Sequence, residues 1–266
     1  MCRKVIYLIF FVLVLGLTAV PGRALDRVAY WDASYPSAWA AAVDADVRDY
    51  LQANGYTVRN ATQLKTWMDA RIADGALSVV VFCKDIVPDT VAETMDASCT
   101  LRKYLNAGGK VIWYSDIPMY YVGHSGPSQD TWGDAGAPAI LGFNTSSAPR
   151  DTFNEVVISG AGVGWGLTQT WQSQRPAAAG ITTNLAVLAT DDAGNAAAWA
   201  KHFVPRDRAR GFVRIWDTGG TPLVADVISV AESSGALAAD LNDDDTIDLK
   251  DYALLADMFL DEALWP

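Results

Sequence analysis

The chain has 266 residues, 20 of them basic and 31 acidic, for a formal net charge of −11 at pH 7. An acidic chain without a basic cluster argues against nucleic acid as a partner, because that binding rests on neutralising phosphates. A hydrophobic content of 51% is ample for a buried core, and the length allows one large domain with a small appendage.

The N-terminus reads as a processing segment. Arg3 and Lys4 form a charged start, Val5 to Val20 is an almost unbroken apolar run, and Pro21 breaks it before the small residues around Ala24. Residues 1–24 are therefore expected to be a signal peptide. The product is expected to be exported, secreted or periplasmic, with no membrane partner after cleavage. A retained anchor is the alternative, but the run is short beside a spanning helix of about 20 residues. Removing residues 1–24 leaves 17 basic and 31 acidic residues, a net charge of −14. From Asp226 onward there are 11 acidic residues and one lysine, so the acidity concentrates near the C-terminus.

Arg27 to Trp31 reads as a short strand. Ser37 can cap a helix whose apolar positions Trp39, Val43, Val47 and Tyr50 step by helical spacing, and Asn54-Gly55 ends it. Tyr56 to Arg59 is a second strand. Thr62 then caps a helix carrying Leu64, Trp67, Met68 and Ile72, stopped by Asp74-Gly75. Leu77 to Cys83 is a continuous apolar run, as expected of a strand buried on both faces. Thr90 to Asn106 reads as the next helix, stopped by Gly108-Gly109, and Lys110 to Tyr114 as the fourth strand. Strand and helix in regular alternation imply a parallel sheet covered on both faces.

The pattern changes after Tyr114. Residues 116–155 are rich in Gly, Pro, Ser and Asp, and a stretch of this kind reads as functional or lid-like. Leu185 to Thr190 and Ala197 to Val204 flank a turn and look like a hairpin. Gly211 to Trp216 is a further strand, Thr221 to Ser233 a closing helix, and Ser234 to Ala239 a linker. The expected fold is α/β: a mostly parallel doubly wound sheet over residues 25–233, followed by a small α-helical calcium-loop module over residues 234–266.

An exported compartment permits a disulfide between Cys83 and Cys99. One sits at a strand end and the other inside the next expected helix, which makes a bridge awkward. Two free, buried thiols are expected. His124 and His202 are not at ligand spacing, which makes a zinc site improbable.

Ligands of open α/β sheets bind beyond the C-terminal ends of the strands. Three strands here end in acid: at Asp32, Asp85 and Asp116. Tyr35, Tyr120, Tyr121 and His124 follow close by. Carboxylates beside aromatic rings suit a sugar, whose hydroxyls need acceptors and whose ring stacks. Asp32, Asp85, Asp116, Tyr120 and Tyr121 are the candidate ligand-binding residues, with Ile117 to Asn154 as a flexible lid. A carboxylate pair could also act on a glycosidic bond. The competing reading is that each aspartate caps a helix or braces a loop.

The most specific motif lies near the C-terminus. Asp240, Asn242 and Asp244 fall at the first, third and fifth positions of a calcium loop. Thr246 would give its backbone carbonyl, Asp248 would ligate directly or through water, and Asp251 closes the shell. Asp245 stands where such loops usually carry glycine; aspartate tolerates the left-handed turn better than most residues. The expected cofactor is Ca2+.

Asp240 to Leu260 resembles half of a dockerin domain, with Asp rather than Glu closing the loop and one helix following. That resemblance implies a cohesin-like scaffold or polysaccharide as partner. The α/β region resembles the class I glutamine-amidotransferase-like superfamily, and within it proteins related to the trehalose-utilisation protein. The likeness rests on Tyr104-Leu-Asn-Ala-Gly-Gly-Lys-Val-Ile-Trp-Tyr-Ser-Asp116, on Ala198-Trp199 and on Gly211-Phe-Val-Arg-Ile-Trp216. The nucleophilic cysteine of that superfamily is absent: Ser115-Asp116 stands in its place. Amidotransferase chemistry is therefore not expected. Two readings remain open. One is an exported, calcium-binding, non-catalytic binding domain associated with polysaccharide. The other is a hydrolase of glycosidic bonds or polysaccharide side groups carrying the same tail.

Overall fold

A computed structural model of the chain describes residues 25–126, 128–143, 151–178, 185–204, 210–215, 221–233, 249–250 and 252–253. The apolar runs become the centre of one large sheet. Every residue of β3 (Ser78–Phe82) and β5 (Lys110–Tyr114) is buried, because helices cover both faces. Beside them lie β1 (Asp26–Tyr30) and β2 (Thr57–Arg59) on one side. On the other lie β13 (Gly211–Ile215), β12 (Ala196–Lys201), β11 (Leu185–Thr190) and β9 (Val157–Ile158). The order is β2-β1-β3-β5-β13-β12-β11-β9. The first five strands run parallel; β12, β11 and β9 alternate in antiparallel sense. The fold is α/β with a large, mostly parallel central sheet.

One core lies under α2 (Ala61–Asp74), α3 (Thr100–Asn106) and α4 (Gly136–Leu141). There Leu64, Met68, Leu101 and Ile140 meet Val80, Phe82 and Trp113. The other lies under α1 (Asp44–Ala53) and α6 (Thr221–Glu232), where Val47, Leu51 and Val227 meet Val79, Val81 and Val213. The short α5 (Gly160–Gly164) flanks the antiparallel edge. Lys110 is buried at the start of β5 because its Nζ donates to the Val230 and Ser233 carbonyls, closing the C-terminal end of α6. Gly109 precedes it, and any Cβ there would stand 2.2 Å from the Tyr104 ring.

Several elements differ from the expectation. The helix expected from Thr62 begins at Ala61 behind Asn60, which forms a reciprocal capping box with Gln63. Gly75 ends it at a φ of 60°, the left-handed C-cap. The helix expected over 90–106 forms only as α3, because Glu93 takes the Thr100 N–H and hydroxyl and Asp96 takes the Ser98 N–H. These local side-chain bonds turn the backbone and pre-empt helical ones. Cys99 accordingly precedes α3; it and Cys83 are free and buried, as expected.

The stretch expected to be a flexible lid is in part core and in part exposed, Ser128 to Thr131 wholly so. Met119, Ile140 and Leu141 are fully buried. A small sheet sets β6 (Tyr121–His124) between β4 (Val87–Pro88) and β7 (Ser128–Thr131). Another pairs β8 (Asp151–Glu155) with β10 (Gln172–Gln174). Residues 144–150 and the six expected calcium ligands, Asp240 through Asp251, lie outside the described residues. Among the described residues no helix is long and apolar enough to cross a membrane.

Asn60→Ala removes the side-chain half of the capping box, the Oδ1 that accepts the Gln63 N–H, and keeps the backbone half. It should cost about 1 kcal/mol, read in thermal denaturation as a Tm lower by roughly 2–4 °C.

Candidate functional site

The three acids at the strand ends have three different surroundings. Asp85 follows β3 and is 2% exposed. Its Oδ1 accepts the Ala38 N–H at 2.8 Å, and its Oδ2 accepts those of Trp39 and Ala40. These donors open a 3-10 helix over Trp39–Ala42. The cap expected from Ser37 is thus supplied from a distant strand, and the helix is split, with α1 starting only at Asp44. Asp32 follows β1. Its Oδ1 accepts the Ser34 N–H and hydroxyl, and its Oδ2 the Ala61 N–H at the start of α2. Partial burial opposes its ionisation, but these bonds outweigh burial and hold the carboxyl below the ordinary carboxylate range.

Asp116 is different. It follows β5, is 6% exposed, and its Oδ1 has no hydrogen-bond partner among the described residues. Its nearest charged neighbour is Arg175, whose Nε stands 3.7 Å from that oxygen, an ion pair without a hydrogen bond. Burial raises the Asp116 pKa despite the attraction of Arg175 and Arg214. Asp85 lies within electrostatic reach and adds to the rise. Arg214, from β13, is itself 1% exposed and donates to the Ala197 and Gln174 carbonyls.

Two residues that sequence reasoning did not single out complete the site. Trp39 was expected to be buried on a helix. It is 61% exposed instead, carried on the turn that Asp85 holds. The guanidinium of Arg175 lies 5.3 Å from the centroid of its ring. Arg175 follows β10 and has a φ of 47°; Met119, in the loop after Asp116, has 56°. These are the non-glycine residues with left-handed backbone among those described, and both loops border Asp116. Such conformations are disfavoured and cluster at functional sites. Nothing in the sequence marks Arg175. An indole three residues after Pro36 could have been read as a turn-borne ring.

The expected aromatic partners are less available. Tyr35 is 8% exposed and donates its hydroxyl to Asp89. Tyr120 and Tyr121 are half-buried and pack edge to face, with centroids 4.8 Å apart. His124 lies between two carboxylates: Nδ1 stands 2.8 Å from Asp89 and Nε2 3.1 Å from Asp130. A neutral imidazole has one N–H and would turn a lone pair toward one of them; the imidazolium donates to both. Hydrogen bonding to Asp89 and then Asp130 raises its pKa above the usual value. Among the described residues no three His, Cys, Asp or Glu side chains are placed to hold a metal ion.

The model of the MJECL34 family matches residues 26–228. The chain belongs to this family. It is also similar to the uncharacterized protein MJECL34 of Methanocaldococcus jannaschii, at 28% identity over 200 residues. The match covers 71% of this chain and 65% of that relative, so the chain spans less than two thirds of the relative's length. Membership in the MJECL34 family corrects both resemblances drawn from the sequence. The comparisons show neither a glutamine-amidotransferase-like family nor a dockerin. The amidotransferase likeness rested on a helix, a Gly-Gly turn and an apolar strand, which the packing of any parallel α/β sheet favours.

Asp85→Ala removes three backbone bonds to a buried carboxylate. It should cost about 2–4 kcal/mol, seen as a Tm drop of roughly 5–10 °C. The imidazolium of His124 stabilises the fold fully below about pH 6.5 and loses that contribution as pH rises through the raised folded pKa. His124→Gln should remove this step. Tm measured from about pH 5 to 9 should converge between parent and variant at high pH, and parallel curves would refute the assignment.

Proposed function

We propose that the α/β domain is a non-catalytic saccharide-binding domain of an exported, calcium-binding protein associated with polysaccharide. The observation that carries the reading is the 61% exposed Trp39 ring on the turn that Asp85 holds, joined through Arg175 to the buried Asp116, whose Oδ1 lacks a hydrogen-bond donor among the described residues. A sugar hydroxyl supplies the donor, and the apolar face of a pyranose suits the Trp39 ring. A buried acceptor left without its donor is costly, so a ligand that supplies one gains affinity and orientation.

The geometry favours binding over hydrolysis. Glycosidases use two carboxylates with lone pairs available to water, substrate or leaving group. Both oxygens of Asp32 and of Asp85 are already occupied by N–H donors. The hydrolase reading draws on one observation, the raised pKa of Asp116, which suits a proton donor. Among the described residues Asp32 and Asp85, the other strand-end acids, have no oxygen left for the second role. For the tail, the spacing of Asp240, Asn242, Asp244, Thr246, Asp248 and Asp251 supports one Ca2+ held by oxygen ligands.

Trp39→Ala, at an exposed ring, should leave Tm unchanged and weaken binding to immobilised polysaccharide about tenfold, or about 1.4 kcal/mol. Equal retention of parent and variant across a glycan array would overturn the site. Asp240→Ala and Asp251→Ala should each abolish calcium binding in titration calorimetry. Unchanged affinity in both would remove the ion from the tail.

A further inference from the structure

The two carboxylates beside His124 are held very differently, and that decides which contact a neutral imidazole gives up. We infer that His124 is the catch of a pH-sensitive latch: as the imidazolium it pins β7 to β6, and as the neutral imidazole it keeps Asp89, lets go of Asp130 and leaves β7 to open locally. The latch does not rest on the saccharide reading.

Three elements meet at the ring, which ends β6. Asp89, just after β4, faces Nδ1 at 2.8 Å, and Asp130, on β7, faces Nε2 at 3.1 Å. Behind Asp89 stands Tyr35, from the loop after β1, whose hydroxyl donates to Asp89 Oδ1. Among the described residues these are the titratable groups that face the ring. Asp89 is tied down twice more strongly in kind: the tyrosine holds its side chain, and its N–H donates to the Gly123 carbonyl. The Asp130 side chain is 70% exposed, against 36% for Asp89, and among the described residues its partner is His124.

A neutral imidazole has one N–H. Given to the fixed Asp89, it leaves the Nε2 lone pair facing the Asp130 carboxylate, two acceptors with no proton between them. Asp130 can turn to water; Asp89 is held. Little else retains β7. Its four residues are exposed, and β6 is its strand partner. β6 itself stays, because it also pairs with β4 and buries Val122. It packs Gly123 so closely that a Cβ there would stand 2.8 Å from Ile86 and 3.2 Å from Pro36. Both flanks of β7 are anchored. The Gly126 N–H donates to the Ser34 carbonyl before it, and the Trp132 and Gly133 N–H groups donate to the Tyr120 carbonyl after it. The part that can leave is therefore Ser128 to Thr131, and a segment with so few buried contacts opens without unfolding the rest. Hydrogen bonding to both acids raises the His124 pKa, so pinning is complete below about pH 6.5 and is lost as pH rises through the higher folded value.

The test is native-state hydrogen exchange on the full-length chain from about pH 5.5 to 8.5, with rates corrected for the intrinsic pH dependence of exchange. An NMR titration of His124 supplies its pKa in the same protein. Protection of residues 128–131 should fall about tenfold for each pH unit by which His124 titrates above 6.5. At every pH β7 should exchange faster than β5, which marks opening without unfolding. The fall should vanish in His124→Gln, which has no proton to titrate, and in Asp130→Asn, whose amide can donate to the neutral Nε2. Unchanged β7 protection across this range in the parent overturns the latch. So does a fall of equal size in either variant, or exchange of β7 at the same rate as β5.

Discussion

A guanidinium that is 1% exposed must find every partner inside the protein, and Arg214 sets much of the architecture around that need. Desolvation lowers its pKa to about 10, so it stays protonated at neutral pH. It sits on β13, where the parallel half of the sheet gives way to antiparallel strands. From there it donates to Ala197 on the neighbouring β12 and to Gln174 on β10 of a separate small sheet. Leaving such a group without partners costs several kcal/mol by order of magnitude. Those bonds tie β13 to β12 and to β10, and Arg175 lies one residue beyond β10. Asp116 then lies in a field made by two arginines, whose attraction offsets part of the cost of its burial.

The sheet was legible because its signals are local. Val79 to Phe82 and Val111 to Trp113 are apolar at every position, which only a strand covered on both faces needs. The hairpin of β11 and β12 and the helix α6 were equally plain from turn residues and periodicity. Helix starts were less plain. Asn60 and Thr62 are both good caps, and the choice turned on Gln63 reaching back to the Asn60 N–H. The missing first half of the helix over 90–106 depended on the competition of Glu93 and Asp96 for backbone donors, which periodicity does not weigh.

The site was legible only in part, for a tertiary reason. The rule that strands end at ligands pointed to Asp32, Asp85 and Asp116 alike. Which of them is occupied depends on segments distant in sequence: Ala61 reaches Asp32, and the turn at Trp39 reaches Asp85. Trp39 looked apolar and helical, so burial was the natural expectation. Its exposure follows because Asp85 draws the backbone of residues 38–40 into a tight turn and splits the helix. Arg175 carries no motif at all.

The Asp85 brace also bears on the thermodynamics of the proposed recognition. The turn that carries Trp39 has its opening N–H groups saturated by a carboxylate fixed to the central sheet. The entropy lost in ordering that turn belongs to folding. A ligand that stacks on the ring finds it already in place, and the usual loop-ordering penalty of association is largely absent. Association should then resemble the docking of a rigid surface, with a small backbone change and an affinity set by contact alone.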